Sequence, residues 1–179
     1  GNRQWAGAMH QDLVDAKTWA VAQGYADPAK VAIMGGSYGG YAVLAGVAFS
    51  PDAFAAGVDI VGPSNLNTLL QSIPPYWSTG RAQFAMRMGD SVDFLNSQSP
   101  LFKADQIKVP LLIGQGANDP RVNKRESDQI VAAMRKNDEP VEYIVFPDEG
   151  HGFARPENTR RFNAAVEADL GKYLGGRVE

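Results

Sequence analysis

The sequence contains no cysteine, and its apolar runs are too short to cross a bilayer. The lack of cysteine excludes disulfides, thiolate metal sites and cysteine nucleophiles. A membrane-spanning helix needs about 20 consecutive apolar residues, and no run in this chain approaches that length. Positive charge is also scarce, since 17 Lys and Arg face 20 Asp and Glu for a formal net charge of -3. We therefore expect neither a nucleic acid nor a membrane as a partner, because both attract basic surfaces.

A secretory leader is also missing, and the sequence begins with Gly1 rather than Met. We therefore expect a processed product or a fragment of a longer chain. The acidic balance and the missing leader favour a cytoplasmic protein. The 179 residues, 44% of them hydrophobic, are enough for a single domain, 1–179, with its own core.

Strand and helix patterns alternate along the chain. Four short apolar runs, VAIMG, AAGVDIVG, VPLLIGQG and VEYIVFP, indicate buried strands. Apolar periodicity and breaker residues predict helices over 9–23, 39–49, 123–136 and 157–174, and segment 63–90 reads as short helices with a Pro-Pro turn. This alternation predicts an α/β fold with a mostly parallel sheet of about four strands and helices on both faces. Functional residues in such sheets follow the carboxyl ends of the strands.

The first strand ends in GGSYGG, which matches the pattern G-x-S-x-G around Ser37. This pattern is typical of a tight strand-to-helix turn that exposes a nucleophilic serine, and glycines two residues before and after it avoid a mutual clash. The backbone N–H of Tyr38 would then point to a developing oxyanion. A glycine-rich turn that only permits close packing is the alternative. A phosphate-binding loop is disfavoured because no G-K-[ST] follows.

Asp119 follows the third strand and His151 follows the fourth, so the order along the chain is Ser, Asp, His. This order is typical of α/β-hydrolases, in which the histidine is the base for the serine and the carboxylate orients the histidine. Asp119 could instead be a turn residue before Pro120. Asp148 and Glu149 are rival carboxylates beside His151, but we expect them to be solvated or to brace the loop.

The chain has only one other histidine, His10, which lies in the first predicted helix, upstream of the serine. We expect this residue to cap the helix or to face solvent.

The motifs GGSYGGY, NDPRV and DEGHGF occur in the order and spacing of one known family. With them, the whole chain resembles the catalytic domain of the prolyl oligopeptidase family of serine peptidases, and its acylaminoacyl-peptidase and dipeptidyl-peptidase-like bacterial members in particular. The resemblance implies a partial α/β-hydrolase fold and acyl transfer to a small peptide or ester through Ser37, His151 and Asp119. It also implies that no metal and no organic cofactor is needed.

The resemblance also suggests residues that hold the substrate. Tyr76 and Trp77 fall where the family places aromatic residues around the side chain that precedes the scissile bond, and Val122 would join that wall. Arg121 matches a position at which the family binds a substrate carbonyl. The alternatives are loop packing for the two aromatic residues and a surface ion pair for Arg121.

The chain departs from the family pattern at its beginning, because four predicted strands correspond to the last four of eight. The preceding strands and the β-propeller have no counterpart, and neither does the second oxyanion donor, which comes from an earlier loop. The strand VAIMG would then be an open apolar edge. We therefore expect a homo-oligomer through that edge, or pairing with the missing N-terminal portion of a longer chain.

Three functions remain open from the sequence. The first is a serine peptidase that cleaves aminoacyl or acylaminoacyl bonds. The second is a carboxylesterase for small acyl esters, since esters have better leaving groups and tolerate a weaker oxyanion site. The third is a folded fragment without activity.

Overall fold

A computed structural model describes residues 1–73 and 75–178 of the chain. Within these residues the chain forms helices and four strands. The elements are α1 (Ala8–Ala22), β1 (Ala32–Gly36), α2 (Tyr38–Phe49), β2 (Ala56–Ile60), α3 (Leu66–Ser72), α4 (Ser78–Met88), α5 (Val92–Ser97), β3 (Leu111–Gly116), α6 (Arg125–Lys136), β4 (Val141–Phe146) and α7 (Pro156–Leu174). Short 3₁₀ turns occupy Pro75–Trp77 and Pro100–Gln106.

The four strands pair in the order β1-β2-β3-β4, and every pairing is parallel. Each strand therefore ends at the same edge of the sheet, and the loops that leave this edge lie side by side. The structure confirms the predicted parallel sheet of four strands, and the predicted helices agree with α1, α2, α6 and α7 to within two residues.

Helices cover both faces of the sheet. On one face, α2 and α6 pack against β3 through a cluster of fully buried aliphatic side chains that includes Val43, Leu111, Ile113 and Ile130. On the other face, α7 places Phe162 against a second cluster of buried apolar side chains. Burial of these side chains, at roughly 25 cal/mol per Å² of apolar surface, is the main force that holds the layers together.

One edge of the sheet is only partly covered by other elements. Strand β1 forms one edge of the sheet, and Met34 within it is 51% exposed. Helix α1 packs against α2, and its Leu13 lines an open groove together with Ile33 and Met34 of β1. The sequence predicted a free edge at this strand. The second copy or N-terminal portion that we expect to pair with it stays a prediction.

Segment 63–97 folds over the carboxyl end of the sheet as α3, α4 and α5. Its apolar side chains join Trp5 and Tyr41 in a third buried cluster. The predicted Pro-Pro turn includes Pro74, which lies outside the described residues. The segment positions apolar side chains above the end of β1, where Ser37 follows.

Two local expectations are corrected by side-chain contacts. Helix α6 begins at Arg125 rather than at 123, and the side chain of Asn123 forms a local turn by accepting a hydrogen bond from the Arg125 N–H at 3.0 Å. His10 neither caps a helix nor faces solvent. It is buried, its Nε2 lies 2.8 Å from Ser50 Oγ, and burial lowers its pKa.

Candidate active site

The turn between β1 and α2 places Ser37 in a left-handed backbone conformation with φ 57° and ψ -117°. Such a φ is uncommon for any residue but glycine and marks a strained, over-determined turn. The N–H of Ser37 donates to the carbonyl of Ile60 at 2.9 Å, which ties the turn to β2. This geometry is the tight strand-to-helix turn that the sequence predicted for a nucleophilic serine.

Of the two glycines that flank the turn, Gly35 and Gly39, only Gly35 is needed to avoid a clash across it. A Cβ on Gly35 would lie 2.6 Å from the carbonyl carbon of Gly39, so a side chain there would collide with backbone. A Cβ on Gly39 would meet no atom within 4 Å. The expected clash between the two positions is therefore one-sided, because the Cβ of Gly39 points away from the turn.

The structure brings Ser37, His151 and Asp119 together into one hydrogen-bonded chain. His151 Nε2 lies 2.8 Å from Ser37 Oγ, and His151 Nδ1 lies 2.8 Å from Asp119 Oδ2. With its proton on Nδ1, the imidazole donates to the carboxylate and leaves Nε2 free to accept from the serine hydroxyl. These contacts satisfy the geometry required of a nucleophile, a general base and an orienting acid.

Asp119 is buried and well supplied with donors. Its Oδ1 accepts from the N–H groups of Arg121 at 2.8 Å and Val122 at 2.9 Å. Burial acts to raise the pKa of Asp119, but the hydrogen bonds from His151, Val122 and Arg121 outweigh it and hold the pKa below its ordinary value. These donors therefore favour the ionised carboxylate beside the imidazole.

Backbone contacts lock the loop of Asp119 to the loop of His151. The N–H of Asn118 donates to the Glu149 carbonyl at 3.0 Å, and the Asn118 side chain donates to the Pro147 carbonyl at 2.7 Å. A Cβ on Gly116 would overlap the carbonyl oxygen of Gly150. The two loops thus approach so closely that only glycine fits between them.

The rival carboxylates beside His151 are engaged elsewhere. Asp148 forms an ion pair with Arg155 at 2.9 Å. Glu149 accepts from the N–H groups of Ala154 and Arg155 and from the side chain of Asn158, and the bond from Asn158 is the largest cause of its lowered pKa. Both residues brace the loop around the histidine, and Asp119 is the carboxylate that contacts the imidazole.

Tyr38 is the first residue of α2, so its N–H lies at the positive end of the helix and is not used within it. An oxyanion formed at Ser37 would therefore meet this donor. The Tyr38 ring packs edge-on against Trp5 with ring centroids 4.8 Å apart. This contact connects Tyr38 to the segment that precedes α1.

A cavity of about 630 Å³ opens beside Ser37 and His151. Three of the predicted substrate residues, Trp77, Arg121 and Val122, line it. Tyr76 does not line it and is 79% exposed, although its ring contacts that of Trp77. The sequence therefore placed three of these four residues at the pocket, and loop geometry turns the fourth to solvent.

Other lining residues escaped the sequence analysis. They come from the segment before α1, the start of α1, α3 with the residue that follows it, and α4, and they are mainly apolar: Trp5, Met9, Leu69, Ile73, Phe84 and Arg87. The spacing of Leu69 and Ile73 by one helical turn is the pattern that could have indicated a shared face. Arg121 has no acidic partner within the described part of the chain, so its guanidinium is available to a ligand.

The described residues contain no group of three or more His, Asp and Glu side chains that could hold a metal ion. None of the described helices has the length and apolar character needed to cross a membrane.

The fold and the hydrogen-bonded Ser–His–Asp chain define an α/β-hydrolase. The sequence profile described as "Prolyl oligopeptidase family" matches residues 1–177, and the chain belongs to this family. It is 63% identical over 184 residues to dipeptidyl aminopeptidase BIII of Pseudoxanthomonas mexicana, a match that covers 100% of this chain and 27% of that protein. It is 48% identical to dipeptidyl peptidase family member 6 of Caenorhabditis elegans, covering 100% of this chain and 25% of the relative.

Solved structures agree with this assignment. A puromycin-hydrolyzing peptidase of Mycobacterium tuberculosis superposes with a TM-score of 0.90 at 32% identity, covering 98% of this chain and 26% of that one. An acylaminoacyl peptidase of Pyrococcus horikoshii superposes with a TM-score of 0.83 at 22% identity over 95% of this chain and 28% of its own, and shows the shared fold. The chain thus spans about a quarter of the length of these relatives, and the predicted fold class is confirmed.

Proposed function

We propose that this chain carries the reacting groups of a serine peptidase that cleaves peptide bonds through an acyl-enzyme on Ser37. The single observation that carries the proposal is the continuous chain of contacts from Asp119 through His151 to Ser37, with 2.8 Å at each step. Family membership and relatives named as a dipeptidyl aminopeptidase and an acylamino-acid-releasing enzyme support the peptide bond as the target.

In the proposed reaction, Ser37 Oγ attacks the scissile carbonyl carbon while His151 Nε2 removes its proton. The Tyr38 N–H stabilises the oxyanion of the tetrahedral intermediate, and His151 then delivers the proton to the leaving amine as the carbon–nitrogen bond breaks. Water attacks the acyl-enzyme by the same route and releases the acid. Asp119 holds the imidazole and stabilises its protonated form throughout.

The cavity indicates how a substrate would lie. Leu69, Ile73, Trp77 and Val122 offer an apolar surface next to Ser37, which suits an apolar side chain before the scissile bond. Arg121 lines the same cavity and would donate to a carbonyl oxygen of the substrate.

The experiment that tests the proposal is labelling of Ser37 with a fluorophosphonate probe, followed by hydrolysis assays. We expect the parent chain to be labelled and Ser37→Ala to be unlabelled, because the probe forms its covalent bond with the activated serine. Ser50→Ala is the matched control, since Ser50 contacts His10 rather than His151. No labelling of the folded parent chain would favour the inactive fragment.

A carboxylesterase is the second candidate, because the same contacts among Ser37, His151 and Asp119 would serve attack on an ester carbonyl, and an ester has a better leaving group than an amide. Comparison of short nitrophenyl esters with aminoacyl nitroanilides separates the two functions. Turnover of the esters alone would support the esterase.

A further inference from the structure

Asp59, on β2, is a buried carboxyl group that the proposed mechanism does not use. It is 0% exposed, and its Oδ1 accepts a hydrogen bond from the Gly62 N–H at 2.9 Å. Its Oδ2 has no hydrogen-bond partner among the described residues. A fully buried carboxylate with an unpaired oxygen is costly when charged, so this residue calls for an explanation beyond packing.

The carboxyl group lies directly behind the nucleophile. Asp59 pairs in register with Gly35, two residues before Ser37, and its neighbour Ile60 accepts the hydrogen bond from the Ser37 N–H. A Cβ added to Gly40, in the first turn of α2, would overlap Asp59 Oδ1. The same carboxyl oxygen thus touches the helix that begins just after Ser37.

The opposite side of the carboxyl group faces the loop after β2. A Cβ on Gly62 would overlap Asp59 Oδ1 and also the backbone of Gly40. The next residue, Pro63, lines the cavity. Asp59 therefore fills the space between the nucleophile helix and a loop that forms part of the substrate pocket.

Among the described residues, no cation lies close enough to Asp59 to neutralise it. The residues packed against it from β1, β3, α2 and the following loop are not titratable: Gly35, Ile113, Gly40 and Gly62. Tyr143 of β4 interacts with Asp59 electrostatically and donates its hydroxyl to Asp128 of α6, which pairs with Lys124. Burial raises the pKa of Asp59 to about 7, although the hydrogen bond from Gly62 opposes the rise.

We propose that Asp59 is a positioning residue of the nucleophile turn: its uncharged carboxyl group holds the first turn of α2 against the loop after β2, and its ionisation opens this contact and misplaces Ser37. A buried charge without a partner requires water, and water can enter only if the backbone around the carboxyl group, which Gly40 and Gly62 form beside Oδ1, moves apart. Ser37 would move with α2, and small displacements of a reacting atom lower rates strongly.

Two consequences follow in different pH ranges. The carboxyl group has a raised pKa in the fold, so its contribution to stability is complete below the unfolded value and is lost as pH rises to about 7. The displacement of Ser37 develops in the folded protein as pH rises above about 7. Only the effect on turnover rests on the proposed peptidase function.

The first test compares urea unfolding of the full chain with that of Asp59→Asn, which keeps an acceptor for Gly62 and cannot ionise. Relative to the variant, the parent should lose up to about tenfold in the folding equilibrium constant per pH unit between about pH 4 and about pH 7. Asp52→Asn is the control, since that side chain is 90% exposed and should leave the pH slope unchanged. Equal slopes for the parent and Asp59→Asn would overturn the proposal.

The second test follows the site itself. In the parent, the backbone amide resonances of Ser37, Gly40 and Gly62 should shift together as pH passes about 7, and in Asp59→Asn they should not. The rate of fluorophosphonate labelling should fall over the same range in the parent alone. Asp59→Ala, which also lacks the acceptor, should label slowly at every pH and without this fall.

The outcomes are distinguishable. Absence of labelling in every variant would contradict the proposed function, while the amide shifts would still decide the role of Asp59. Amide resonances that do not respond to pH in the parent, or that respond equally in Asp59→Asn, would overturn the positioning role.

Discussion

Strands β1 and β3 each lead to a member of the Ser–His–Asp chain, yet they are held in place very differently. Every residue of β3 is buried between two neighbouring strands and two layers of helices. Strand β1 has one neighbour, and Met34 within it is 51% exposed. Asp119 and His151 therefore lie on loops that interlock with each other, whereas Ser37 depends on one strained turn and on its contacts with β2.

The largest expected effect concerns the β3 side. Asp119→Asn should lower the hydrolysis rate by about 10⁴, because the amide cannot stabilise the imidazolium and favours the wrong tautomer of His151. Steady-state kinetics with a nitroanilide or a nitrophenyl ester measures this loss. The lowered pKa of Asp119 also implies a contribution to stability that is present above the unfolded value and is lost as pH falls through the folded one.

The control for this prediction is Asp148→Asn, which removes a carboxylate next to His151 in sequence that pairs with Arg155 instead. We expect this variant to keep most of the activity. Comparable losses in the two variants would show that Asp148 shares the role of the acid.

The second effect tests how tightly the β3 and β4 loops are packed. Gly116→Ala adds a Cβ that would overlap the Gly150 carbonyl and lie 2.7 Å from that of Glu149, both of them backbone atoms. The loop that carries His151 must then shift. We expect the free energy of unfolding to fall by about 1–3 kcal/mol and the rate by about 10². Chemical denaturation and the same kinetic assay provide the measurements.

Gly39→Ala is the matched test on the β1 side. Its Cβ would meet nothing within 4 Å, and alanine is the better helix former by about 1 kcal/mol in a helix interior. We expect this variant to be as stable as the parent or slightly more so. If Gly39→Ala costs as much stability as Gly116→Ala, the expected difference in packing between the turn after β1 and the loop after β3 is contradicted.

The sequence could predict the features that depend on local patterns, but not those that depend on packing between distant segments. The strands, the main helices and the order Ser37, Asp119, His151 depend on local patterns and short motifs, which a single sequence contains. Trp5 and Ile73 reach the pocket only through packing between distant segments, and no local pattern encodes that approach. The direction of the Gly39 Cβ and the burial of Asp59 are likewise properties of the assembled turn, so the sequence revealed neither.

The smallest expected effect on the fold concerns the free side of β1. We propose that this edge pairs with another segment, which in the isolated chain is a second copy, because an open strand offers unpaired N–H and C=O groups next to exposed apolar side chains. Met34→Lys places a charge on this strand, a device that natural edge strands use against pairing. We expect weaker self-association in sedimentation velocity and a change in unfolding free energy of less than about 0.5 kcal/mol.

Met86→Lys on α4, where Met86 is 54% exposed, is the matched control and should associate like the parent. A parent chain that stays monomeric at every concentration while remaining folded would show that β1 tolerates its open edge.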